Sequence, residues 1–237
     1  MQCAVAVFVK TPGLSPLKTR LGQNVGQQAA ERFYELSAKA TEEVISTTVL
    51  RLKKSGSAEL EMFWAVAEKE GLDHSFWQGR KTIMQGEGGL GDRLAHVYSS
   101  LLQSHEAVIF LGADAPQVTS AILEEVSVTC TRSSGYVVGP AVDGGFYLFG
   151  CSQPIAAEIW KEIAYSTADT LRALKEALLP LECTDTFSAL QDVDTLDDFK
   201  AVQQTLEKNA AELLPRQLKL LHFMTEILEN QGSSPSR

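Results

Sequence analysis

Three aspartates and a small group of cations are the residues best suited to chemistry in this 237-residue chain. The stretch "IFLGADAP" (109–116) carries an apolar run into Asp114, with Ala113 and Ala115 on either side and Pro116 ending the run. A carboxylate with small neighbours at the end of a buried strand suits a hard divalent cation, which prefers oxygen ligands. It equally suits a turn or a cap for a helix starting near Thr119. Far along the chain, "DVDT" (192–195) sets Asp192 and Asp194 around one apolar residue. Residues two apart in an extended segment point the same way, so both carboxylates could face one ion, whose charge would relieve their repulsion. The alternative is that Asp194 caps a helix and Asp192 is solvated.

The cations sit in "VKTPGLSPLKTRLG" (9–22), where Lys10, Lys18 and Arg20 follow the first apolar run. A loop after the first strand of an α/β sheet is a usual place for phosphate. Backbone amides near Gly13 and Gly22, with these side chains, could hold a diphosphate; a solvated loop is the plain alternative. The segment matches neither GxxxxGK[ST] nor GxGxxG. In "QGEGGLGDRL" (85–94), Gln85 is followed by Gly86, Gly88, Gly89 and Gly91. Glycines let a flat ring approach the backbone, although a simple connection would look the same. In "GPAVDGGFYLFG" (139–150), Asp143 precedes two glycines, which signals a hairpin turn or an acceptor contact. Ser166 and Thr167 fit a helix cap. The four histidines (74, 96, 105 and 222) show no metal spacing, and the four cysteines (3, 130, 151 and 183) form no CxxC pair, so buried or incidental thiols are expected. Trp64, Trp77 and Trp160 read as core.

The elements that must position these groups alternate. Strands are expected over 3–9, 59–67, 82–85, 107–116, 135–140 and after the turn at 143. Helices are expected over 26–55, after the glycine-rich segment, over 119–131, 154–163 and 167–178, after a cap at Thr195 or Asp194, and over 209–229. This alternation implies α/β architecture: a mostly parallel sheet with helices on both faces. Such sheets bind ligands outside the carboxyl ends of their strands, where the candidate residues fall. One domain over 1–230 is expected, with a polar tail, 231–237, that is disordered.

The charge balance narrows the partners. A net charge of -9 and a pI near 5.0 argue against nucleic acid and anionic membrane surfaces. No apolar run approaches the ~20 residues of a membrane span, and the start of the chain lacks a basic region followed by a cleavage site. A cytoplasmic protein is the default.

Taken in order, "VFVKTPGLSPLKTRL", "QGEGGLGDRL", "LGADAP", "GPAVDGGFYLFG" and "DVDTLDDF" resemble the DUF2064 family over roughly 4–199. That family is similar to nucleotide-diphospho-sugar transferases of glycosyltransferase-A type, to phospholactate guanylyltransferase and to molybdenum-cofactor nucleotidyltransferases. The resemblance implies a Rossmann-like sheet and a nucleotide or nucleotide-sugar with a small-molecule acceptor. It implies a divalent metal, Mg²⁺ or Mn²⁺, at Asp114, Asp192 and Asp194. The nucleotide would contact Lys10, Lys18, Arg20, Gln85, Gly86, Gly88, Gly89, Gly91 and Asp114. Lys18 and Arg20 would stabilise the leaving diphosphate, and Asp143 would orient or deprotonate the acceptor hydroxyl. The sequence lacks the nucleotidyltransferase loop AAGxSxRMGxxK, and "GADAP" is not the DxD of many glycosyltransferases. The favoured expectation is sugar transfer from a nucleotide-diphospho-sugar. The alternatives are transfer of NMP from an NTP to a phosphorylated small molecule, and an inactive nucleotide-binding module.

Overall fold

Seven strands form one sheet in the order β3-β2-β1-β4-β6-β5-β7. They are β1 (Gln2–Val9), β2 (Glu59–Val66), β3 (Lys81–Met84), β4 (Ala107–Gly112), β5 (Tyr136–Pro140), β6 (Phe146–Cys151) and β7 (Cys183–Thr186). The computed structural model describes residues 2–179 and 181–232. β1 pairs in parallel with β2 and β4, β2 with β3, and β5 with β7, while β6 runs antiparallel between β4 and β5. The sheet is thus mostly parallel, as the alternation of elements implies.

β1 shows why the sheet forms. Its residues alternate between two cores, as side chains of a strand must. Cys3, Val5, Val7 and Val9 enter one core, and Ala4 and Ala6 enter the other. The small alanines leave that second face to large rings: the centroids of Phe110 and Phe149 lie 5.7 and 5.2 Å from that of Trp160. Helix α2 (Gln27–Ser55) and α4 (Ser120–Arg132) cover the first face. Helix α3 (Leu90–Leu102), α5 (Ala157–Glu162) and α6 (Thr170–Ala177) cover the second. A third apolar cluster joins α1 (Thr19–Val25), α2, α7 (Leu196–Lys208) and α8 (Pro215–Gly232) through Leu21, Phe33, Phe199 and Leu220. Trp64, Trp77 and Trp160 are all buried.

Several boundaries differ from expectation for physical reasons. The segment after β1 is not all loop, because α1 begins at Thr19; Gly26, at φ 85°, separates it from α2. β4 stops at Gly112, so Ala113–Pro116 leave the sheet. β7 is an edge strand of four polar or small residues, "CTDT", with no apolar alternation to reveal it. The last expected helix starts at Pro215 rather than 209 and runs to Gly232. The start of the expected tail therefore belongs to α8, and 233–237 lie outside the described residues. No helix among the described residues is long and apolar enough to cross a membrane.

Strand order turns around between β1 and β4. β2 and β3 lie to one side and β4 lies on the other. At such a switch point, the loops leaving adjacent strand ends diverge and open a crevice. Here those ends are Val9 and Gly112.

Candidate active site

The loop leaving β1 is pinned at its start, at Lys10 and Thr11. The Tyr34 hydroxyl, from α2, accepts the Lys10 amide at 2.8 Å and donates to the Lys10 carbonyl at 2.9 Å. The Thr11 amide donates to Glu68 at 2.8 Å, and the Thr11 hydroxyl accepts the Trp77 indole N–H at 3.1 Å. The loop ends at Lys18, which caps α1 with φ 45° and ψ 43°. A non-glycine residue in this left-handed region carries a strain of about 1 kcal/mol or more. Its ammonium is bound on two sides: Nζ lies 3.0 Å from Asp114 Oδ2 and 2.9 Å from Asp194 Oδ1, with the side chain only 8% exposed. Arg20 reaches Asp194 at 3.9 Å and is otherwise open to solvent.

The two acidic segments are stitched together by backbone. The Val193 amide donates to the Asp114 carbonyl at 3.2 Å, and the Gln117 side chain donates to the Gln191 carbonyl at 2.8 Å. On the far side, the Ser37 hydroxyl donates to the Ala113 carbonyl at 2.6 Å. The cap of α7 is Thr195, not Asp194: the Thr195 hydroxyl accepts the Asp198 amide at 3.3 Å, and Asp198 accepts the Thr195 amide at 2.7 Å. Asp194 is thereby left for Lys18.

The electrostatics follow. Burial works against the Lys18 ammonium, but the charges of Asp114 and Asp194 and their hydrogen bonds outweigh it and hold its pKa above that of an ordinary lysine. Burial would likewise raise Asp114, but Lys18 holds this carboxyl below its usual value. Asp192 has no such partner. Burial, then the charges of Asp114 and Asp143, push its carboxyl up to about 6.

The glycine-rich segment serves three ends. Gly86 and Gly88 have φ 87° and 90°, which favour glycine. Asp92 accepts the Gly89 amide at 3.0 Å and closes the start of α3. Gly91 faces away from this turn, against the Trp160 carbonyl, and lets α3 pack on α5. The Gln85 side chain is buried and donates to the carbonyls of Val9 (3.1 Å) and Ala65 (2.8 Å), bridging β1 and β2. Sequence reasoning missed Arg93. Its guanidinium donates to the Gly88 carbonyl at 3.1 Å and to Gln85 Oε1 at 3.4 Å. The signal was present: a cation one turn into the helix that follows the glycines.

Asp143 sits in the turn between β5 and β6. Its Oδ1 accepts the Gly145 amide at 2.8 Å, and Ala141 N–H closes the turn on the Gly145 carbonyl at 3.0 Å. Ser166 and Thr167 do not cap α6, which starts after Asp169 without a side-chain cap. Both line a hollow instead, and Ser166 adopts φ 61°.

Two hollows meet over the strand ends. The larger, about 570 Å³, is lined by Lys10, Lys18, Arg20, Gln85, Gly88 and Arg93, together with Asp194. The smaller, about 240 Å³, is lined by Asp143, Asp192, Ser166, Thr167 and aromatic rings. Asp114 belongs to both walls, with Phe8 and Leu90. Asp192 lines the smaller hollow and Asp194 the larger, with Asp114 on the wall of both and Val193 buried between them. Among the described residues, no three histidine, cysteine or carboxylate side chains stand together as a ligand set. Asp114 and Asp192 nonetheless both line the smaller hollow, and carboxylate oxygens are the donors a hard cation prefers.

Comparison with known proteins agrees with this architecture. The profile of a family described as "Uncharacterized protein conserved in bacteria (DUF2064)" matches residues 48–167. That span holds the glycine-rich segment, Asp114 and Asp143, and is narrower than the span of the sequence resemblance. No curated protein matches the chain. Among solved structures, a protein from Desulfovibrio desulfuricans G20, provisionally assigned as a nucleotide-diphospho-sugar transferase, is 21% identical with a TM-score of 0.78, covering 97% of each chain. Rv0371c from Mycobacterium tuberculosis H37Rv, solved as a manganese complex, is 13% identical with a TM-score of 0.51, over 85% of this chain and 98% of that one. A CMP:2-keto-3-deoxy-manno-octonic acid synthetase solved with CTP is 13% identical with a TM-score of 0.51, over 88% of this chain and all of that one (100%). The fold is shared with these proteins.

Proposed function

The chain belongs to the DUF2064 family, and from that premise we propose that it is a transferase that takes a nucleotide-diphospho-sugar in the larger hollow and moves the sugar to a small acceptor in the smaller one. The observation that carries this reading is the position of Asp114 on the wall common to a cationic hollow and an acidic, aromatic one. Such an arrangement would set a donor diphosphate beside an acceptor hydroxyl, the proximity a two-substrate transfer needs.

The residues divide the work. Lys10, Lys18, Arg20 and Arg93 bind the diphosphate, and their charge counts most as negative charge gathers on it in the transition state. The backbone at Gly86, Gly88 and Gly89 lies against the base, with Gln85 holding the strand ends beneath it. Asp194 positions Lys18 by the 2.9 Å ion pair. Asp143 keeps Oδ1 on its own turn and presents Oδ2 to the acceptor hydroxyl as general base. Mg²⁺ or Mn²⁺, when bound, neutralises the diphosphate, and Asp114 with Asp192 are the carboxylates that would hold it. The acceptor oxygen bonds to the anomeric carbon, its proton passes to Asp143, and the sugar–diphosphate bond breaks with its electron pair leaving on the diphosphate.

Transfer of a nucleotidyl group from an NTP is the second reading, supported by the fold shared with the CTP-bound synthetase. A thermal-shift panel of NDP-sugars and NTPs with Mn²⁺ separates the two. Stabilisation by an NDP-sugar and not by any NTP is expected. Stabilisation by an NTP alone reverses the order, and stabilisation by neither defeats both.

A further inference from the structure

The smaller hollow has a composition that selects among acceptors. Phe8, Phe110, Phe146 and Tyr165 contribute rings to its wall, with Leu90 and Leu94 beside them. Phe8 and Phe110 meet edge to face at 5.1 Å, so this side is rigid as well as apolar. The polar wall is of one sign. Asp114, Asp143 and Asp192 all reach it, and among the described residues no lysine, arginine or histidine lines it. The remaining polar groups are neutral hydroxyls: Ser166, Thr167 and Thr170. The Thr170 hydroxyl is already committed to the Ala164 and Thr167 carbonyls, at 3.0 and 2.9 Å. Ser166 holds φ 61° at this wall, a strained conformation that surrounding structure must maintain.

We infer that the acceptor is an uncharged or cationic alcohol with an apolar face, and that phosphorylated and carboxylate acceptors are excluded. This rests on the reading of the smaller hollow as the acceptor site. The chemistry runs in one direction. An anion entering the hollow would leave water for a site whose carboxylates repel it; the Lys18 ammonium beside this wall is already held by Asp114 and Asp194, and a divalent ion on Asp114 and Asp192 would be engaged by the donor diphosphate. The donor diphosphate, docked across Asp114, adds negative charge at the same corner. An apolar or aromatic body gains burial against the rings, and an ammonium gains both the carboxylates and the ring faces. A volume of about 240 Å³ limits the bound portion to a small molecule or the end of a larger one. The inference also bears on the choice of reaction: transfer of NMP to a phosphorylated acceptor is favoured by cationic side chains at the acceptor site, and those line the other hollow.

Three near-isosteric probes test the charge rule: tyrosol (neutral), tyramine (cationic) and 4-hydroxyphenylacetate (anionic). Their affinities are measured by ligand-observed NMR on the full chain, without nucleotide or metal, at pH 8. Tyrosol and tyramine are expected to bind at least tenfold more tightly than 4-hydroxyphenylacetate. In the double variant D143N/D192N the difference should fall below threefold. Asn at 143 keeps an oxygen for the Gly145 amide, and unfolding curves check that the double variant folds; D143N alone, which should lower the preference by a smaller factor than the double variant, serves if it does not. Equal or tighter binding of the anion to the native chain overturns the inference. So does a preference that survives both substitutions. Because the probes are compared without donor, a failure of nucleotide to stabilise the protein removes the transfer reading and leaves this result standing on its own.

Discussion

The Lys18 ammonium lies 3.0 Å from the Asp114 carboxylate, a contact between residues 96 positions apart, and it forms the floor of the cationic hollow. Asp194 holds the same ammonium from the other side at 2.9 Å. Lys18→Met removes the shared cation and leaves two carboxylates facing each other. Both are partly exposed, so the expected loss is modest, about 1 kcal/mol by urea unfolding at pH 7. The pH dependence is more telling. A carboxyl held below its usual value stabilises the fold above the unfolded pKa near 4, and that stability is lost as pH falls through the lower folded value. The native chain should therefore lose stability on acidification below pH 4 more steeply than the variant. Parallel acid profiles would show that Lys18 does not hold Asp114.

Asp192 has the opposite sign. Its carboxyl is pushed up to about 6 by burial and by Asp114 and Asp143. A group raised in the folded state favours folding below its unfolded pKa, and that contribution is lost as pH rises through about 6. Asp192→Asn should then be more stable than the native chain at pH 8, by about 1 kcal/mol after solvent screening, and should gain nothing at pH 4. A native chain that is equally stable across this range, relative to the variant, would contradict the crowding of carboxylates at this corner.

Two glycines of one motif should respond differently. Gly88 needs its φ of 90°, and a Cβ there would crowd the Asp92 side chain, a flexible partner. Gly88→Ala should cost about 1–2 kcal/mol. At Gly91 a Cβ would meet the Trp160 carbonyl, which cannot turn away without moving α5. Gly91→Ala should cost more, about 2–3 kcal/mol, and lower the thermal midpoint further. If the two lose the same amount, the packing argument for Gly91 fails.

That contrast shows what was legible in the sequence. The order of apolar runs was enough for the parallel sheet and for the strand ends that bear Asp114, because β1, β2 and β4 are nearly continuous apolar runs. The cationic loop was legible because it interrupts an acidic chain. What a glycine does was not legible: Gly88 and Gly91 look alike in sequence, and only the approach of α5 separates them. The same holds for Asp192 and Asp194. Their spacing suggested one shared point; in the structure Asp192 lines the smaller hollow and Asp194 the larger, with Val193 fully buried between them. β7 was invisible because its four residues carry no apolar period.

Arg93 provides the sharpest test of the donor site. Its guanidinium lines the larger hollow, is anchored only to the Gly88 carbonyl and Gln85, and makes no ion pair among the described residues. A cation positioned by neutral partners keeps its charge available for a phosphate. Arg93→Ala removes hydrogen bonds to two neutral acceptors from a half-buried side chain, so unfolding free energy should fall by about 1 kcal/mol or less. Binding of whichever nucleotide stabilises the native chain should weaken by about tenfold or more, the scale of one charge-assisted hydrogen bond. Arg93→Lys should recover part of that affinity, because it restores the charge but not the forked geometry. The measurement is titration calorimetry at two salt concentrations, with the loss shrinking at the higher one. Unchanged affinity in Arg93→Ala would move the diphosphate away from the glycine-rich turn and toward Lys10 and Arg20.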